Sequence, residues 1–182
     1  MRRVLKILVL LILGIIAINF APKSLFYKDR RPTRAGRMVN RAWKCVVGAG
    51  LTPSSWPGEP RIGSIAIETT GRRSGQARSQ VVTWVQVEGE RYLVSMLGER
   101  SDWVRNARAA NGNAAIRHGG RQPVRLVEVP VEQRAPILRA YLKRTRISTQ
   151  EHLGGIDVDA PIEEFQRVAP RHPVFRIVEA EP

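Results

Sequence analysis

The sequence predicts an α+β or closed-β architecture rather than a parallel sheet. Three observations predict it. First, short runs with the two-residue apolar period of half-buried strands recur at 62–69, 80–88, 91–96, 114–118, 122–129 and 173–178. Second, Glu88-Gly89-Glu90 and Gly119-Gly120 join neighbouring runs with residues that suit tight hairpin turns, so adjacent strands run antiparallel. Third, no Gly-x-Gly-x-x-Gly leads from a strand into a helix, and no Gly-x-x-x-x-Gly-Lys-Ser/Thr is present. A dinucleotide-binding doubly wound fold and a P-loop are thereby disfavoured.

The elements follow in order. Residues 4–21 read VLKILVLLILGIIAINFA, with only Lys6 and Asn19 polar. That length reaches across a bilayer core near its short limit. A cleaved signal peptide is the rival reading, but Asn19-Phe20-Ala21-Pro22 lacks a small-x-small cleavage pattern. A single N-terminal transmembrane helix over 1–22 is therefore expected, anchoring the chain in the cell membrane. The basic residues Lys23, Lys28, Arg30, Arg31, Arg34 and Arg37 outnumber Arg2, Arg3 and Lys6 upstream, which favours a cytoplasmic body. Residues 23–60 form a basic linker (22–33), an amphipathic helix (35–51) and a Pro/Ser/Gly-rich loop (52–60). The helix repeats Met38, Val39, Ala42, Trp43, Val46 and Val47 at helical spacing. Its apolar face suits a membrane surface, a pocket cover or the domain core alike.

The body occupies 61–182. Between its strands, 101–111 reads as a helix, with Ser101 as cap, Asp102 complementing the dipole and Asn111-Gly112 ending it. A longer helix covers 135–144. Pro136 fits only a first turn, so 131–134 forms a separate turn.

Composition narrows the partners. The 182 residues are 43% hydrophobic, a globular value, but carry 30 basic against 16 acidic side chains, a net charge of +14. Anionic partners follow: a phosphorylated cofactor, an acidic membrane surface or nucleic acid. Nucleic acid ranks last, because aromatics are only 6% and do not interleave with the basic residues. A single cysteine leaves no intramolecular disulfide, and Cys45, beside Val46 and Val47, reads as a packing thiol. With three histidines and no second cysteine, no metal site is expected.

The chemistry concentrates at Thr69-Thr70-Gly71-Arg72-Arg73-Ser74-Gly75-Gln76-Ala77-Arg78, between the first two body strands. Glycines admit close backbone approach, successive N–H groups can form an anion nest, and arginine forks match phosphate oxygens. A lone Gly-Arg-Arg would be read as a solvated turn. Here the sequence continues through strands to Asp102-Trp103-Val104-Arg105-Asn106, Gly119-Gly120-Arg121 and Pro173-Val174-Phe175-Arg176.

In that order of motifs the chain resembles the nitroreductase family of deazaflavin-dependent oxidoreductases, the Ddn-like enzymes of actinobacteria, over 61–181. The resemblance implies a split β-barrel, FMN-binding-like in fold, with flanking helices. It implies coenzyme F420 as cofactor and hydride transfer to an electron-poor acceptor; the expected anchor over 4–21 and the Trp43 helix point to a lipophilic one, such as a quinone or nitroaromatic. The cofactor-binding residues it implies are Thr70, Gly71, Arg72, Arg73, Ser74, Gly75 and Arg78 in the loop, with Ser95, Met96, Leu97 and Gly98 at the ring and Trp103 and Asn106 on the following helix. Trp103 is equally readable as core. Arg72, Arg105 and Arg108 add charge for an anionic tail.

Two departures stand out. Leu97 replaces the lysine of the family's Ser-Lys-Gly-Gly stretch, which leaves one cationic contact missing or supplied by Arg100. The tyrosine-bearing C-terminal helix is not clearly matched, so the catalytic residues stay open, with Tyr141 and His152 as candidate proton donors beside solvent. A non-catalytic cofactor- or lipid-binding barrel and an FMN-dependent reductase are the alternatives. A homodimer is compatible with the family.

Overall fold

In the computed structural model the described residues are 27–28, 31–32, 34–52, 55, 58, 61–149 and 153–180. The expected membrane helix and His152 lie outside them. Among the described residues no helix is long and apolar enough to cross a membrane.

The chain divides into two compact units, Met1–Trp43 and Lys44–Pro182. The first holds a short antiparallel pair, β1 (Tyr27–Lys28) and β2 (Arg31–Pro32), and most of helix α1 (Arg34–Gly48). The expected amphipathic helix therefore forms, but part of the stretch read as linker is a hairpin. At the end of α1, Val47 is fully buried and Val46 half-buried, while Cys45 is exposed. The packing role expected for Cys45 is thus corrected: Val47 buries, and its neighbour two residues back points elsewhere on the helix.

The second unit is a closed barrel of six strands, β3 (Ile62–Thr70), β4 (Ala77–Val87), β5 (Glu90–Val94), β6 (Asn113–Arg117), β7 (Arg121–Glu128) and β8 (Val174–Glu179). Their order is β3-β4-β5-β8-β7-β6, and β6 pairs back on β3. Every pairing is antiparallel. The closed-β reading holds, and closure leaves the barrel no unpaired edge. The β4–β5 turn uses Glu88 (φ 51°) and Gly89 (φ 83°), the positive pair that a two-residue hairpin needs.

Alternation divides each strand between two cores. Ile65, Ile67, Val82, Trp84, Leu93, Ile116, Val124, Leu126, Phe175 and Ile177 form one cluster inside the barrel. Trp103, Val104 and Ala107 of α2 (Asp102–Ala109) join that cluster, so α2 stoppers one end of the barrel. The outward residues Val85, Val94 and Val174 pack instead under α3 (Arg134–Thr149) and α4 (Ile162–Val168). A short 3-10 turn, Val131–Gln133, precedes α3, which places Pro136 in the first turn as expected.

Ser101 departs from its expected role. It makes no side-chain cap bond to α2, and its hydroxyl meets Ser95 Oγ at 2.8 Å. The C-terminal signal holds: Asn111 and Gly112 take φ of 52° and 82°, and Gly112 N–H donates to Ala107 O.

Candidate cofactor site

Thr70 pairs with Ala77, so residues 71–76 form the turn between β3 and β4. Gly71 N–H donates to Gln76 O at 2.8 Å, and Gly71 O accepts from the N–H groups of Ser74 and Gly75. Gln76 N–H reaches Ser74 Oγ, and Arg72 N–H reaches Asn106 Oδ1. Four of the loop's N–H groups beyond Gly71 are therefore satisfied internally. The backbone nest expected from the glycines is corrected in this respect: these donors are already used, three within the turn and one by Asn106. A Cβ on Gly71 would stand 2.9 Å from Ser74 Oγ and 3.1 Å from Gln76 O, so the turn closes only on glycine.

The arginines divide by task. Arg72 Nη1 donates to Asp102 Oδ1 at 3.0 Å and to Asn106 Oδ1 at 3.1 Å, and Asn106 Nδ2 donates to Thr69 Oγ1. Thr69 and Asn106 are both buried. The guanidinium of Arg72 thus ties the loop to α2. Arg105 Nε donates to Glu99 O, and Arg108 is held between Glu99 and Glu128. These bonds hold the Glu99 carboxyl below its ordinary value and keep Arg108 firmly protonated. Arg134, itself buried, extends the network to Glu128 and to the carbonyls of Val129 and Ala169. Of the additional charge expected from Arg72, Arg105 and Arg108, that of Arg72 and Arg108 is paired with acids, while Arg105 is tied to a carbonyl and keeps its charge. Arg73 and Arg78 remain exposed, with no side-chain partner among the described residues.

The 95–98 segment is built as firmly. Ser95 is buried; its Oγ donates to Gly98 O at 2.9 Å and accepts from Ser101. Ser95 N–H donates to Pro173 O, and His172 Nδ1 lies 3.2 Å from Ser95 O, a contact that requires the proton on Nδ1. Gly98 takes φ 61°, and a Cβ there would lie 2.5 Å from Arg171 O. At the tip Leu97 is 61% exposed, while Met96 is half-buried against the helical core. The apolar side chain that the sequence places here is thus presented to solvent.

Trp103 is buried inside the barrel, edge-on to Phe175 with ring centroids 5.4 Å apart, which decides for its core reading. Tyr141 lies in the cluster under α3, hydrogen-bonded with Thr83, and burial pushes its phenol up to about 12. The structure thus brings the 70–78 loop, Thr69, Asp102 and Asn106 together, and leaves Tyr141 in the outer core. Asp102 and Asn106 stand four residues apart on one face of α2, a spacing from which their joint reach to Arg72 was readable.

Comparison with known proteins supplies the class of chemistry. Residues 37–162 match the family model described as F420H(2)-dependent quinone reductase. The chain belongs to that family. It is an F420H2-dependent reductase, and coenzyme F420 is its cofactor. A search of the curated proteins finds no match. Among solved structures, a "domain-swapped dimer" aligns at 18% identity over 79% of this chain and 96% of its own, with TM-score 0.43. An F420-H2 dependent reductase (FDR-A) aligns at 21% identity over 63% and 92%, with TM-score 0.40. The protein Atu2129 (unknown function) from Agrobacterium tumefaciens aligns at 11% identity over 85% and 58%, with TM-score 0.47.

Proposed function

We propose that this reductase passes reducing equivalents from F420H2 to a lipophilic quinone, with the 71–78 loop holding the cofactor's phosphate. The observation that carries the loop assignment is the unequal use of its arginines. Arg72 is bound within the protein, while Arg73 and Arg78 are exposed cations on a turn that holds no acid. Two guanidiniums on a pre-set turn fit a phosphate, which takes charge-assisted, forked hydrogen bonds.

Reduced F420 supplies a hydride equivalent when bound. The chain's own residues bind, orient and exclude water. Arg73 and Arg78 bind the anion. Thr69, Arg72, Asp102 and Asn106 keep the turn in place. The 95–98 segment, pinned by Ser95, Ser101 and His172, presents a fixed wall with Leu97 at its tip. That apolar tip, where the family carries a lysine, suits a hydrophobic acceptor over a charged one. Tyr141 is buried in the α3 core, where its phenol keeps its proton far above neutral pH. The apolar stretch 4–21 anchors the enzyme at the membrane, where quinones dissolve, with the barrel on the cytoplasmic side.

The test is a fluorescence titration of the full chain, in phosphatidylcholine nanodiscs, with F420. Saturable binding is expected, weakened roughly 100-fold or more in the Arg73→Ala/Arg78→Ala variant, since each charge-assisted bond contributes about 1.5–3 kcal/mol. Unchanged affinity in that variant would remove the loop from the site. Binding of FMN in place of F420 would reassign the chemistry.

A further inference from the structure

The 95–98 segment lies on a closed circuit of bonds. Directly after it, Glu99 accepts two bonds from the Arg108 guanidinium, and Arg105 Nε donates to Glu99 O at 2.9 Å. Arg108 also grips Glu128 at the end of β7, through Nε at 2.8 Å and Nη2 at 2.7 Å. Glu128 Oε1 accepts from Arg134 Nη2 at 3.0 Å, and Arg134 Nη1 donates to Ala169 O at 3.3 Å. Ala169 O accepts the His172 N–H as well, and the His172 ring returns to Ser95 O. The path thus leaves the segment at Glu99, passes through α2, β7, the start of α3 and the 3-10 turn Ala169–Arg171, and re-enters at Ser95. The same turn sets Arg171 O 2.5 Å from where a Cβ on Gly98 would stand, so Gly98 cannot shift that way.

One carboxylate closes this circuit. Glu128 is the acid on the path that meets both arginines. Arg134 is buried and pairs with no other acid among the described residues. Without Glu128 its charge would keep only the carbonyls of Val129 and Ala169, an uncompensated burial that is costly. The Glu99–Arg108 pair is exposed on both sides and contributes little to stability by itself. It can still fix the place of what it holds, because Glu99 follows Gly98 directly.

On the reading that 95–98 is the wall at the cofactor ring, we infer that Glu128 is a positioning residue for that ring. It holds Arg108 and Arg134 at one spacing, and through them it fixes the segment from both ends. Reacting atoms must meet within about 3–3.5 Å, and a misplacement of about 1 Å costs roughly 100-fold in rate, so a wall held at both ends serves orientation.

Glu128→Gln and Glu99→Gln open the circuit at different links. The first exposes a buried arginine and lowers stability; the second removes an exposed partner and should move the melting point by no more than about 2 °C. Both are compared with the parent as full chains in phosphatidylcholine nanodiscs saturated with F420. Hydrogen exchange is read at 95–101, with 71–76 as internal control. Fluorescence anisotropy of bound F420 at saturation reads the ring, and titration reads affinity. Exchange at 95–101 is expected to quicken roughly tenfold in both variants and to stay unchanged at 71–76. Limiting anisotropy should fall, while affinity stays within about threefold because the anion contacts of the loop remain. Glu128→Asp, which keeps the charge, should fall between parent and Glu128→Gln; if the latter does not fold, Glu128→Asp and Glu99→Gln decide. Unchanged exchange at 95–101 in Glu99→Gln would overturn the circuit. Faster exchange with unchanged anisotropy would leave the circuit standing but remove 95–98 from the ring, and with it the positioning role. Equal loosening at 71–76, or effects confined to Glu128→Gln, would reduce Glu128 to a structural residue and overturn the inference.

Discussion

Arg72 and Arg73 are neighbours in sequence with different work. Arg72 spends its guanidinium on Asp102 and Asn106, while Arg73 extends into solvent. Asn106 is the centre of this brace, because its buried amide answers Arg72 twice and Thr69 once. Asn106→Ala leaves those groups without their partner and is expected to cost about 2 kcal/mol, read as a melting-point drop of about 4–8 °C. Asp102→Ala is expected to change little, since that pair is exposed on the acid's side. Tyr141 gives a pH signature. Its folded-state pKa of about 12 lies above the ordinary value of 10, so the folded state holds the proton more tightly. Its contribution is complete below pH 10 and lost as pH rises toward 12. Denaturant titrations across that window should show a smaller decline in stability for Tyr141→Phe than for the parent. At this scale the sequence located the loop and named its arginines. It did not show which were free, because that depends on Asp102 and Asn106, 30 and 34 residues further along the chain.

Turns rather than strands set the tolerances of the elements. Gly75, Gly98 and Gly112 all take positive φ, but only the last two face a carbonyl where a side chain would begin. Gly75→Ala is expected to cost about 1–2 kcal/mol, the backbone term alone. Gly98→Ala and Gly112→Ala meet Arg171 O and Leu126 O at 2.5 and 2.4 Å and are expected to cost about 3 kcal/mol or more, because overpacking adds to the backbone term. Thermal melts of the three variants order them directly. The strands were legible because alternation marks them: 62–69 became Ile62–Thr70 and 114–118 became Asn113–Arg117. Helix α4 was not legible. It follows Pro161 in a stretch whose polar residues outnumber its buried ones, and only Phe165 and Val168 are buried, with Ile162 packed partly beside them. Ser101 was misread for a related reason: a serine before a helix signals a cap, but a buried serine opposite takes the hydroxyl first.

For the whole molecule, the stretch proposed to anchor the chain falls in the first compact unit and the barrel in the second. Removing residues 1–34 is expected to release the enzyme from membrane fractions and to lower turnover of a lipophilic quinone more than that of a soluble acceptor. Equal losses would count against a membrane-dissolved substrate. The charge of +14 also predicts that F420 affinity falls as salt rises, and a titration at two ionic strengths reads this. Barrel closure was legible only as a class, since nothing in the local pattern says that β8 inserts between β5 and β7. That insertion governs how the chain is made. The ribosome delivers β8 last, about 80 residues after Val94, or about 4–16 s at 5–20 residues per second. Through that interval β5 waits with an unpaired edge, β7 joins it once Glu128 has been made, and the 71–78 loop already exists on an open sheet. A chain that terminates before Val174 therefore carries every loop arginine and still lacks a closed barrel to hold them.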